Sequence, residues 1–105
     1  IKYSLDMSKI IDGNLSIEEG AIKILYGYNK GYYFRFLKAY CEAAGIDITL
    51  PFDKLEEHQK KAILQGGVEI AEFVWKRHKL KRKWEGAIKL AYDMLKGEKD
   101  INEFM

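Results

Sequence analysis

The sequence predicts one small, mostly helical domain, and a single segment decides whether it belongs to the α+β class. Three observations carry this reading. The chain has 105 residues, the size of one domain. Its hydrophobic fraction is 48% and its charges nearly cancel at +2, so it has the apolar content of a core and not the composition of a disordered chain. Glycines then cut the sequence into short pieces, several with apolar residues at helical spacing. There is one proline, Pro51, and no Ser- or Pro-rich linker, so a second domain is not expected. The apolar stretches fall far short of the ~20 residues of a membrane span. The chain opens on Ile1 without a signal-peptide pattern and reads as a piece of a longer protein. The lone thiol, Cys41, fits a reducing cytoplasm and excludes a disulfide or CxxC zinc module within these residues.

Along the chain, Ser16-Ile17-Glu18-Glu19 has the spacing of a capping box and predicts a short helix, weakened by Gly20. Tyr32 to Ala44 is the clearest helix, with Tyr33, Leu37, Tyr40 and Ala44 on one face and Gly45 placed to end it. Ile46 to Leu50 is extended, because the residue before Pro51 is steered away from the helical region. Asp53, with Glu56 three residues on, predicts the start of a third helix, striped by Leu55, Ala62 and Ile63 and stopped by Gly66. Ala87, Ile88, Ala91, Tyr92 and Leu95 stripe a last helix that Gly97 closes. Asp100 and Glu103 repeat the box near the end. Val68 to Trp84 has two readings. As a helix it places Ala71, Trp75 and His78 on one face. As strands, Ile70–Arg77 and Lys79–Trp84 pair around a turn near His78.

Little in the chain looks catalytic. His58 beside Glu56 and Glu57 lacks a second histidine at i+4 and reads as a solvated helix face. Cys41 lies in the apolar stripe of the best helix and reads as a packed, inert thiol. No phosphate-cradling glycine motif occurs. The aromatic run Tyr32-Tyr33-Phe34-Arg35-Phe36 has the makings of a base-stacking platform, but its helical spacing favours core packing. One segment stands out: in Lys76-Arg77-His78-Lys79-Leu80-Lys81-Arg82-Lys83, six of eight residues are basic. Such a run can neutralise phosphates or simply be a solvated surface.

Three segments, taken in order, resemble the UvrA family, the damage-recognition ATPase of bacterial nucleotide excision repair. They are Asn14 to Ile22, with its Leu-Ser and Gly-Ala-Ile; Tyr32-Tyr33 through Gly45-Ile46-Asp47, Leu50-Pro51-Phe52 and Leu55 to Ala62-Ile63-Leu64-Gln65-Gly66; and Trp84-Glu85-Gly86-Ala87-Ile88. The resemblance runs from about Leu15 to Ile88. The sequence departs from the family pattern after Gly86, where Lys89 to Lys96 replaces an Arg-Arg-Tyr stretch, and in a shortened loop between Gly67 and Trp84. These departures fit a divergent homologue or a paralogue.

The resemblance implies the insertion domain of the excinuclease A subunit. It resolves Val68 to Trp84 as one short β-hairpin, which makes the domain α+β. It implies an accessory role in holding or positioning duplex DNA for a parent ATPase, with ATP, magnesium and zinc bound elsewhere and UvrB as the parent's partner. No catalytic residue and no cofactor is expected in this chain. The rival reading is a protein-interaction module without a DNA role. In the hairpin, alternation puts Lys79, Lys81 and Lys83 on one face and Leu80 and Trp84 on the other, with Arg82 at the margin. The expected DNA contacts are Lys79, Lys81 and Lys83, helped by Lys76 and Arg77, touching phosphates without reading bases.

Overall fold

A computed structural model describes residues 7–26 and 30–97. The elements are α1 (Met7–Ile10), a 3₁₀ turn at Lys23–Tyr26, α2 (Lys30–Ala44), a second 3₁₀ turn at Phe52–Lys54, α3 (Glu57–Gln65), β1 (Ile70–Trp75), β2 (His78–Lys83) and α4 (Ala87–Gly97). The two strands form one antiparallel hairpin, so the domain is α+β. The expected box at Asp100 and Glu103 lies outside the described residues. Among those residues no helix is long and apolar enough to cross a membrane.

Helix α2 is the centre of the core. Leu37 and Cys41 have no exposed surface, and Tyr40 and Phe36 are buried beside them. The helix ends as its sequence predicts. Gly45 adopts φ 72°, its N–H donates to the Glu42 carbonyl at 3.3 Å, and Ile46 N–H donates to the Cys41 carbonyl at 2.8 Å. These are the two bonds of a Schellman cap, and the buried Ile46 supplies its apolar contact.

Two helix starts differ from expectation. The Ser16–Glu19 box forms: Glu19 N–H donates to Ser16 Oγ at 3.1 Å and Ser16 N–H to Glu19 Oε1 at 2.9 Å. No α-helix follows it. Gly20 takes φ 110°, and the Ser16 carbonyl accepts from Ala21 N–H, so the chain turns back on itself before the 3₁₀ turn. Ser16 also bridges to Pro51, and Ile11 to Ile22. The third helix begins at Glu57, four residues beyond Asp53, which sits in the 3₁₀ turn. There Gln59 Oε1 accepts from Glu56 N–H at 3.2 Å, so the box belongs to Glu56 and Gln59. The Leu55 carbonyl region is extended at ψ 158°, which separates the two turns.

The end of α3 and the start of α4 cross at backbone contact. A Cβ on Gly86 (φ 106°) would collide with the Leu64 carbonyl, and one on Gly66 (φ 99°) would come within 2.8 Å of the Trp84 carbonyl. Both glycines are required by close approach and by positive φ. Trp84 is buried at this crossing. Its indole N–H donates to the Ile63 carbonyl at 2.8 Å, and its ring lies 5.1 Å from Phe36 and 6.5 Å from Tyr40. One residue thus ties the hairpin's base to α2 and α3.

A candidate nucleic-acid interface on the hairpin

A two-stranded hairpin is marginal alone and needs a supporting layer. Here α2 supplies it. Phe36 stacks on Phe73 at 5.1 Å, and Tyr32 meets Phe73 at 5.5 Å and Trp75 at 5.7 Å, both edge-on. The aromatic run on α2 is therefore committed to packing, as its helical spacing predicts.

The register fixes the faces. Partners are Ile70–Lys83, Ala71–Arg82, Glu72–Lys81, Phe73–Leu80, Val74–Lys79 and Trp75–His78. Directly opposed residues share a face. Ala71, Phe73, Trp75 and Leu80 therefore turn toward α2. Lys79, Lys81 and Lys83 turn away from it, opposite Val74, Glu72 and Ile70. All three lysines are exposed. Arg82 shares the inner parity but is exposed at the margin, where its guanidinium donates to the Lys81 carbonyl at 3.0 Å.

The expected turn near His78 is displaced by one step. Trp75 and His78 pair directly, so the loop is Lys76-Arg77 and His78 belongs to β2. Both loop residues have positive φ, 49° and 70°. A two-residue hairpin loop with positive φ at both positions matches the right-handed twist of its strands and normally recruits Asn-Gly. Lys and Arg pay a steric penalty there of about 1 kcal/mol or more each. The turn therefore holds two cations where other residues fit better. Replacing the pair by Asn-Gly (Lys76→Asn with Arg77→Gly) is expected to stabilise the chain by about 1–2 kcal/mol, raising its melting temperature. An unchanged or lower melting temperature would show that the turn is not strained.

The electrostatics are those of an open surface. Lys81 Nζ lies 3.6 Å from Glu72 Oε1 across the strands, with both side chains mostly exposed. The Lys76 ammonium sits 5.8 Å from the Trp75 ring centre. At the hairpin's base Lys89 pairs with Glu85 one turn away, which holds the Glu85 carboxyl below its ordinary range.

The other candidates are a packed and a solvated side chain. Cys41 is fully buried, and burial pushes its thiol up to about 12, leaving it inert as expected. His58 pairs with Glu56 at 3.3 Å on an exposed surface. Among the described residues no group of three or more His, Cys, Asp or Glu side chains is placed to hold a metal.

Fold and site together define a small helical platform that presents a basic β-ribbon. Comparison with known proteins gives this class a family. A model of the UvrA DNA-binding domain matches residues 6–99. The chain is 47% identical over 105 residues to UvrABC system protein A of Helicobacter pylori strain ATCC 700392 / 26695, covering 99% of the chain and 11% of that protein. Identity to the same-named protein of strain J99 is 46% over 105 residues, with the same coverage. To that of Methanothermobacter thermautotrophicus it is 37% over 79 residues, covering 70% of the chain and 8% of the relative. The chain belongs to the UvrA family, in the region of that family's DNA-binding domain. It spans about a tenth of the length of the curated relatives it matches.

Lys76, Arg77, Lys79, Lys81 and Lys83 all lie on the hairpin, but the sequence pattern does not reveal their neighbours on its outer face. Ile70, Glu72 and Val74 share the lysine face, and only the register reveals this. β1 gives no period-two signal, because apolar residues occupy both of its faces.

Proposed function

We propose that this domain holds duplex DNA through the outer face and tip of its hairpin, as an accessory part of a UvrA-like ATPase in nucleotide excision repair. The observation that carries the reading is the row of Lys79, Lys81 and Lys83, all exposed and on the hairpin face turned away from the core. Alternate strand residues recur about 6.8 Å apart, so the row spans about 14 Å. Lys76 and Arg77 extend the positive field at the tip. Lysine acts on phosphate as a point charge, and these contacts carry no base reading. The assignment as an insertion domain, a cytoplasmic location and a parent that engages UvrB belong to the same proposal. ATP, magnesium and zinc would be held by other parts of the parent: this chain has no phosphate loop, and its single cysteine is buried.

Glu72 offers a test whose direction is opposite to that of a simple loss. It stands on β1 directly opposite the middle of the lysine row and pairs with Lys81, so it opposes an incoming phosphate. Glu72→Gln is expected to tighten duplex binding about three- to tenfold at low salt while leaving stability within about 0.5 kcal/mol, since exposed pairs contribute little. The check is a titration of duplex DNA at low ionic strength with both proteins. Weaker binding by the variant, or no binding by either protein, would count against the reading. The Asn-Gly turn described above should flatten the salt dependence as well, by up to about 1.8 in log–log slope if both tip cations contact phosphate.

A further inference from the structure

The lysine face carries a second feature. Ile70 and Val74 each expose 48% of their surface there. Single exposed aliphatics are ordinary, but these β-branched side chains share one ribbon face with a row of cations. The register makes the face two-sided: β2 contributes the lysines, and β1 contributes Val74, Glu72 and Ile70.

We propose that this face lies in the major groove, with the β2 lysines on the phosphates of one wall and Ile70 and Val74 against thymine methyl groups on the floor. This rests on the duplex-DNA reading above. The charge pattern names a polyanion as the occupant. The dimensions name the groove: strands about 4.8 Å apart, with their side chains, fit a groove about 12 Å wide and not one about 6 Å wide. The chemistry names the contact, because the thymine methyl is the apolar group that B-DNA presents in that groove. An ammonium row alone would favour no sequence. The aliphatic row adds a modest preference for thymine-containing duplex.

The test compares a thymine-rich duplex with the same duplex in which every thymine is replaced by uracil. Two proteins are used: the unaltered chain and the double variant Ile70→Ala with Val74→Ala. The unaltered chain is expected to bind the methylated duplex about four- to fifteenfold more tightly, for one or two methyls covered. The double variant should lose that preference and bind more weakly. It should keep its melting temperature and the salt slope that the lysines set. Equal affinity of the unaltered chain for both duplexes, or a double variant that retains the preference, would overturn the groove assignment while salt-dependent binding stood. If the aliphatic row instead docks on a protein, the double variant binds DNA normally, and the assignment falls in the same way. Absence of duplex binding by the unaltered chain at low salt would remove the underlying reading as well.

Discussion

Exchanging Lys79, Lys81 and Lys83 together for glutamate is expected to abolish duplex binding while the chain stays folded. Each exchange reverses a charge on the outer face, so the chain's small positive charge of +2 becomes negative and the proposed contact row repels phosphate. The fold should survive because the three side chains turn away from α2 and are exposed. The Lys81–Glu72 pair is exposed, so its replacement by two opposed carboxylates should cost about 1 kcal/mol or less. Circular dichroism and thermal melting would establish folding, and a duplex titration at low salt would establish binding. The corresponding triple glutamine variant should bind weakly, with a salt slope near that of the tip cations alone. Duplex binding that the glutamate variant retains would place the contact elsewhere.

Truncating Leu37 to alanine is expected to destabilise the domain by about 2–5 kcal/mol. Leu37 has no exposed surface and lies on α2, the helix against which the hairpin packs. The loss is a large fraction of the about 5–15 kcal/mol that holds a domain together. The effect should reach the site: a hairpin whose inner face meets α2 through Phe73 and Trp75 has no other stacking partner of that kind among the described residues. Denaturant unfolding of the purified variant provides the check. A loss below about 0.5 kcal/mol would show that the α2 stripe is not the core.

How far the sequence could be read depended on whether a feature was local. The α2 stripe and its Gly45 cap are local, because periodicity and one left-handed glycine specify them, and both appear as read. The Ser16–Glu19 box shows the limit of that logic. Its hydrogen bonds form, but an αα path cannot continue through Gly20 at φ 110°, and the pairing of Ser16 with Pro51 is invisible to local pattern. The start of α3 lies beyond Asp53 for a similar reason: Asp53 and Glu56 both offer capping chemistry, and with Asp53 taken into the 3₁₀ turn after Pro51 the box forms between Glu56 and Gln59.

The site divides in the same way. Alternation along β2 alone separates Lys79, Lys81 and Lys83 from Leu80, so the cationic row was legible without the partner strand. The turn was not, because Lys-Arg gives no turn signal of the Asn-Gly type. Without the turn the register is undefined, and with it the identity of Ile70, Glu72 and Val74 as companions of the lysines. The bond from Trp84 to the Ile63 carbonyl joins positions distant in sequence, and no spacing announces it.

The central claim is that the hairpin's lysine row neutralises duplex phosphates. The salt dependence of duplex binding by the unaltered chain tests it most directly. Three phosphates neutralised give a slope of about −2.7 for log affinity against log salt, steepening if Lys76 and Arg77 also engage. A slope in that range, unchanged between duplexes of different sequence but equal thymine content, is the predicted result. A slope near zero, or no duplex binding at low ionic strength, would contradict the account and leave the basic ribbon as a surface for a protein partner.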